Sequence, residues 1–268
     1  NPYAVGFFGY AYYQEHANNL NILTVDGVEP TTENVESGDY PLSRPLYFYT
    51  DADRLLDKPA VAAFVQYYLD NVSSIISEVG YFPASENTLE TDRTILSRAL
   101  GGIPIDNTQA ADILITGSST VYPLTQRLAA LFVDAGFTGN IDVQSIGSGA
   151  GLELFCSRNS DVDIANASRD ISRSELEACR SAKREPLEFQ VGTDALAIVV
   201  NRQNTFAQSV TKDELRAIFT GAELWSDVNA DWPAEPIVRY IPGVDSGTLD
   251  FFAGTVFSRE LRELPKET

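Results

Sequence analysis

From residue 113 onward, short apolar runs of β-favouring residues alternate with amphipathic helical patterns, and this alternation limits the fold more than any other feature. Runs at 113–116, 141–145, 162–166, 195–200 and 237–241 predict strands, and stretches at 120–135, 150–157, 172–182, 211–219 and 247–263 predict helices. Parallel neighbours need a crossover between them, so the alternation predicts an α/β fold with mainly parallel sheets. Residues 1–100 are less regular. The aromatic, Gly-rich NPYAVGFFGYAYY leads into a helix near AYYQEHANN, and strands are expected near 20–25 and 46–50. A helix over 59–78 starts at Pro59 and places Val61, Phe64, Val65, Tyr68 and Leu69 on one face, and a further helix spans 86–99.

Three turns share one grammar: a strand, a loop of Gly, Ser and Thr, then a helix. They are Gly117-Ser118-Ser119-Thr120, Gly147-Ser148-Gly149-Ala150-Gly151 and Gly243-Val244-Asp245-Ser246-Gly247-Thr248. Such turns offer backbone N–H groups at a helix start together with hydroxyl donors, which suits a tetrahedral oxyanion. Arg239, at the end of a strand six residues before Asp245, is placed to supply a positive charge with a forked geometry. One turn alone would be ordinary helix punctuation. Three turns with an Arg point to anion binding.

Charge bounds the partners. The 268 residues carry 38 acidic and 19 basic side chains, a formal charge of −19, which argues against nucleic acid and against anionic membrane surfaces. The acid is dispersed, as a solvated surface is. No apolar run reaches the roughly 18 residues of a membrane-spanning helix. Met is absent and no leader pattern opens the chain, so a mature or re-engineered chain is expected.

Catalytic signatures are missing. The single His, His16, stands in a polar helical stretch, no G-x-S-x-G elbow or G-x-x-x-x-G-K-[ST] loop occurs, and no cluster of metal ligands is evident. The expectation is a binding protein and not an enzyme, with no cofactor and no metal. Cys156 and Cys179 are too few for a zinc site, and either a disulfide or two buried thiols fits the pair. The bridge is favoured because Cys156 lies in the polar stretch FCSRNSD. A loop of that size stabilises by about 3 kcal/mol and implies an oxidising compartment.

Five segments together carry a resemblance: GSSTVYPLTQRLAALF, SIGSGAGLELFC, DIANASRDIS, DELRAIFTGAELWSDV and RYIPGVDSGTLDFF. With NPYAVGFFGYAYY, they resemble successive motifs of the phosphate-binding proteins of bacterial ABC importers. The resemblance implies a two-lobed periplasmic-binding-protein (flytrap) fold that closes on inorganic phosphate and delivers it to an ABC transporter permease. It also implies a periplasmic or extracellular location and a monomer without membrane insertion. In that family GSSTVYPL comes early and the aromatic segment late. Here the order is reversed, so the chain resembles a circular permutant whose Gly101-Gly102 marks the join. A sensor component is the favoured purpose, and a natural permutant is the alternative. Family crossovers then give a continuous lobe at 45–200 and a discontinuous lobe of 1–44 and 201–268. Asn1 and Thr268 are expected close together on the latter.

Carried over motif by motif, the resemblance implies ligand contacts from Ser119, Thr120 and Ser148 on one lobe. The other lobe contributes Arg239, Ser246, Gly247 and Thr248, with Asp245 orienting Arg239. Ser168 stands where better-studied members place an Asp that accepts the proton of bound phosphate, so rejection of fully ionised oxyanions is weakened. Arg169 either adds positive charge or forms an ion pair with Asp163 or Asp170. Other tetrahedral oxyanions (sulfate, molybdate) and a phosphatase-like enzyme are the competing readings.

Overall fold

Side-chain caps fix the helix starts that the apolar pattern leaves loose. The computed structural model describes residues 1–106, 110–243 and 247–257. In chain order the elements open with β1 (Ala4–Gly9), α1 (Tyr10–His16), β2 (Leu20–Ile22), β3 (Thr24–Val25) and α2 (Thr32–Glu36). Then come β4 (Ser43–Asp51), α3 (Ala52–Asp57), α4 (Pro59–Ile75), β5 (Phe82–Pro83) and α5 (Glu86–Ala99). The alternating part follows as β6 (Ile113–Gly117), α6 (Tyr122–Asp134), β7 (Ile141–Ser145), α7 (Ser148–Phe155), β8 (Ile164–Ala167) and α8 (Arg173–Ser181). The last elements are β9 (Pro186–Asn201), β10 (Ser209–Val210), α9 (Lys212–Phe219), α10 (Trp225–Val228), β11 (Val238–Tyr240) and α11 (Gly247–Val256). Ser85 Oγ accepts from Thr88 N at the start of α5, and Asp51 Oδ1 accepts from Arg54 N at the start of α3. Reciprocal capping boxes, Ser172 with Glu175 and Thr211 with Glu214, open α8 and α9.

The chain divides into two compact units, residues 44–193 and residues 1–43 with 194 onward. It passes from one to the other inside β4 and inside β9.

In the unit of residues 44–193 the strands run in the order β7-β6-β8-β4. Strand β6 is parallel to both neighbours, with Ile115 opposite Val143 and Ile164, whereas β4 is antiparallel to β8, with Phe48 opposite Asn166. The alternation predicts mainly parallel pairing. The observed sheet is mixed, because β4 reaches it from the irregular first part of the chain and not through a βαβ crossover. Residues 60–65 of α4 are buried in succession, so no single stripe describes this helix. It packs against α3, α5 and α6. Each large side chain in that layer, such as Phe64 or Leu69, contributes about 1.5–3 kcal/mol through burial.

One buried carboxylate ties β6 to the residue before β8 and to the α3–α4 segment. Asp163, fully buried just before β8, accepts from Leu114 N of β6 at 2.8 Å and pairs with Lys58 Nζ at 2.8 Å and Arg54 Nε at 3.4 Å. Arg184 pairs with Asp51 at 2.6 Å, lies 3.8 Å over the Phe155 ring, and donates to the carbonyls of Phe155 and Val162.

In the other unit, β1 is parallel to β11, with Val5 opposite Arg239, and antiparallel to β9, with Val5 opposite Val200. Phe7 stacks on Phe252 at 3.8 Å, and Phe219 meets both rings edge-on, closing the core beneath β1. The short strands β3 and β10 pair in parallel.

Some expected elements differ in extent. The helix expected over 59–78 ends as an α-helix at Ile75 and finishes in a 3₁₀ turn. Helix α7 begins at Ser148, two residues before the apolar pattern starts, which puts Ser148 in its first turn. Strand β9 runs from Pro186, well before the expected 195. Gly101 and Gly102 both adopt positive φ (59° and 83°) directly after α5, and Gly101 N donates to Arg98 O. Left-handed residues there end a helix, a local reason for the pair that does not depend on any join. The expected proximity of Asn1 and Thr268 lies outside the described residues.

Candidate functional site

Because β6, β7 and β8 are parallel, their C-terminal ends and the turns that follow lie at one edge of the sheet, where open α/β sheets bind ligands. The turns are locked together through Gly117. It has φ 131°, and a Cβ there would stand 2.1 Å from Asn166 O, so only glycine lets β6 press against β8. Gly117 O accepts from Ile146 N at 3.0 Å and from Gly147 N at 2.9 Å, and Ser118 N donates to Asn166 O at 2.9 Å. Helix α7 closes the arrangement. A Cβ on Gly151 would lie 2.4 Å from Gly117 Cα.

Within this frame Ser118, almost fully buried, caps the turn. Its Oγ accepts from Thr120 N at 3.2 Å and Val121 N at 3.4 Å. Ser119 is exposed, whereas Thr120 is 9% exposed and its Oγ1 accepts from Arg44 Nη2 at 2.9 Å. Ser148 and Ser168 come together: their hydroxyls are 3.4 Å apart, and Ser168 N donates to Ser148 Oγ at 3.2 Å.

Arg169 is tied down by a partner that the sequence reading does not name. Its Nη1 and Nη2 grip both carboxylate oxygens of Glu175 at 2.9 and 2.7 Å, and Nη1 also donates to Asp170 O. Asp163 is held instead by Arg54 and Lys58. The reason is local, since the capping box already points Glu175 back over the start of α8, beside Arg169. Hydrogen bonds from Arg169 and Ser172 hold the Glu175 carboxyl down to about 2. Cys156 and Cys179 are bridged, linking the end of α7 to α8.

In the unit that begins at Asn1, Arg239 lies on β11. Its Nε and Nη2 donate to the carbonyls of Ile218 and Ala222, and Nη1 donates to Ile237 O at 3.4 Å. The guanidinium thus meets the carbonyl end of α9, the negative end of its dipole. Burial lowers its pKa from the usual arginine value. Gly247 and Thr248 form the first turn of α11 and are half-buried. Asp245 and Ser246, the expected partner and ligand beside them, lie outside the described residues.

Sequence reasoning did not single out Arg44, Tyr81 and Asn166, and it took Ser118 only as part of a turn. Tyr81 donates its hydroxyl to Thr120 O at 2.8 Å, and buried Asn166 accepts from Thr125 Oγ1 at 3.3 Å and, through its carbonyl, from Ser118 N. Among the described residues no group of three or more His, Cys, Asp or Glu is placed to hold a metal ion. Among them too, no helix is long and apolar enough to cross a membrane.

The chain is similar to known proteins. The chain is 38% identical over 149 residues to Protein SphX of Synechocystis sp., covering 54% of this chain and 44% of that protein. It is 34% identical over 145 residues to the phosphate-binding protein PstS of Staphylococcus aureus, with 54% and 44% covered. It therefore spans about half the length of the curated relatives it matches. In three dimensions it is similar to a phosphate-binding protein of a phosphate ABC transporter from Streptococcus pneumoniae. That likeness has a TM-score of 0.65 and 21% identity over 82% of this chain and 74% of that one, and it bears on the fold alone. A possible phosphate-binding protein from Planctomyces limnophilus superposes with a TM-score of 0.52 and 33% identity, covering 57% and 54%. The profile of the PBP superfamily domain matches residues 2–72 and 103–263, most of the chain. With its α/β units and its glycine-locked turns at the strand ends, the chain belongs to the PBP superfamily.

Proposed function

We propose that this chain binds inorganic phosphate and serves as the receptor of an ABC phosphate importer, working outside the cytoplasm without turning its ligand over. The observation that carries this reading is the packing of the turn after β7, helix α7 and Asn166 of β8 against Gly117, which gathers the Ser118–Thr120 turn, Ser148 and Ser168 at one end of the sheet. Neutral hydroxyls and amides in such a place suit an oxyanion even on a chain of charge −19. Relatives named for phosphate binding and phosphate transport support the reading. The disulfide fits an oxidising compartment.

In this reading the ligand donors are Ser119, Thr120, Ser148, Ser168, Arg239, Ser246, Gly247 and Thr248, with Asp245 orienting Arg239. Arg239 then exchanges neutral carbonyls for a charged ligand, a gain for a fork of charge-assisted donors. The order of motifs is that of a circular permutant, so a chain with the parts exchanged, 103–268 followed by 1–100, should bind equally well. Calorimetric titration with phosphate, arsenate and sulfate tests the function. Arg239→Ala should weaken phosphate binding by about 2–4 kcal/mol, and an affinity unchanged within about twofold removes that residue from the site. Turnover of a chromogenic phosphate ester would overturn the non-enzymatic reading.

A further inference from the structure

Asn166 of β8 is 1% exposed, and among the described residues its amide nitrogen Nδ2 meets no acceptor. The rest of the residue is firmly held. Its backbone carbonyl accepts from Ser118 N at 2.9 Å, and its Oδ1 accepts from Thr125 Oγ1, in the first turn of α6, at 3.3 Å. Main chain and side chain thus grip the two ends of the corner that runs from Ser118 into α6. The residues opposite it across the sheet offer Nδ2 nothing. Gly117 on β6 has no side chain, and Phe48 on β4 has only a ring.

Hydroxyl protons fix which way the amide faces. Tyr68 Oη lies 3.2 Å from Thr125 Oγ1, which lies 3.3 Å from Asn166 Oδ1, and all three residues are buried. Tyr68 gives its proton to Thr125 and Thr125 gives its own to Asn166, so each hydroxyl proton is used once. Turning the amide over would strand a hydroxyl proton and Oδ1 in the core, at about 1–3 kcal/mol each. Nδ2 is therefore left on the other arm of the amide, with two N–H groups and no capacity to accept.

The surroundings name the kind of acceptor that suits such a donor. Asn166 stands two residues before Ser168, whose hydroxyl is 3.4 Å from that of Ser148, and it holds the Ser118–Thr120 turn by Ser118 N. Resting on the phosphate reading above, we propose that Asn166 is a further ligand-binding residue, donating from Nδ2 to an unprotonated oxygen of the bound anion. Tyr68 and Thr125 are positioning residues that keep the carboxamide turned that way. A proton carried by the ligand is left to the Ser148–Ser168 pair, whose hydroxyls accept as well as donate.

The test reads the amide directly. In nitrogen–proton correlation spectra of the whole chain, inorganic phosphate at saturation should move one side-chain amide proton of Asn166 downfield and leave the other nearly still. Calorimetric titration with phosphate gives the affinities, and denaturant midpoints establish that each variant folds. Asn166→Asp puts a carboxylate oxygen where the amide donates, and it should lose at least about 100-fold. Thr125→Val keeps the side-chain shape but releases the carboxamide, and it should lose about 3- to 10-fold. Thr125→Ser should recover most of that loss, and a Ser variant as weak as the Val variant overturns the positioning role. The inference fails if the Asn166 amide signals stay in place at saturation, or if folded Asn166→Asp binds within about threefold of the unmodified protein. An unmodified protein that takes up no phosphate in the calorimeter overturns the phosphate reading itself.

Discussion

Gly151→Ala sets two known effects against each other in the helix that carries Ser148. Gly151 is an interior residue of α7, where alanine is the better helix former by about 1 kcal/mol. Its added Cβ, however, would stand 2.4 Å from Gly117 Cα, 2.8 Å from Gly117 N and 3.2 Å from Thr116 C. Carbon atoms rest at about 3.5–4.0 Å, so α7 has to retreat by about 1 Å from atoms that are all backbone of β6. Overpacking of this kind costs about 1–3 kcal/mol, which leaves a net destabilisation of about 0–2 kcal/mol.

Binding should suffer more than stability. The same retreat stretches the bond from Gly147 N to Gly117 O, now 2.9 Å, and carries Ser148 away from Ser168. A misplacement of about 1 Å is enough to lower phosphate affinity by about tenfold or more. Urea unfolding and phosphate titration on the same preparation read the two effects separately. Gly149→Ala is the control for folding, since its Cβ meets nothing nearer than Arg169 Nη2 at 3.7 Å, an ordinary contact. If Gly151→Ala is stabilised by about 1 kcal/mol and binds phosphate within about twofold of the parent, the close approach of α7 to β6 is refuted.

Burial pushes the Asp92 carboxyl up to about 7. The folded state thus holds a proton that the unfolded chain releases near pH 4, and stability falls as pH rises between about 4 and 7. Asp92→Asn should remove that slope, so the gap in unfolding free energy between variant and parent should widen by a few kcal/mol across the window. A constant gap rejects the assignment. Reducing the Cys156–Cys179 bridge should lower stability by about 3 kcal/mol, measured by denaturant titration with and without reductant, and two free thiols in the denatured, unreduced protein would contradict the bridge. Because the chain carries −19, moderate salt should speed phosphate association. Stopped-flow rates that fall steeply with added chloride would refute this.

The turns were legible because their chemistry is local. A strand, then Gly117 or Gly147, then hydroxyls at a helix start is a pattern confined to a few consecutive residues, and crowding at Gly117 and a φ of 90° at Gly147 call for glycine. What escaped was set by pairing between distant strands. Arg44 meets Thr120 across 76 positions of sequence, and no motif around SRPLYFY announces that contact. It exists because β4 lies antiparallel to β8, and β8 parallel to β6. Asp163 escaped for the same reason, since a lone acidic residue before a strand looks solvated until Leu114 N, Arg54 and Lys58 close around it.

Two misses were avoidable, and they show where a sequence reading can be sharpened. In the first half of β9, Leu187, Phe189 and Val191 alternate with Glu188 and Gln190, a period of two that predicts a strand well before the uninterrupted apolar run at 195–200. Ser172 and Glu175 spell a capping box, which fixes the direction of the Glu175 carboxylate as well as the helix start. A carboxylate turned back over a helix N-terminus meets whatever cation the preceding loop carries, and that loop carries Arg169. Taken as geometry, the box assigns Arg169 to Glu175 from the sequence alone.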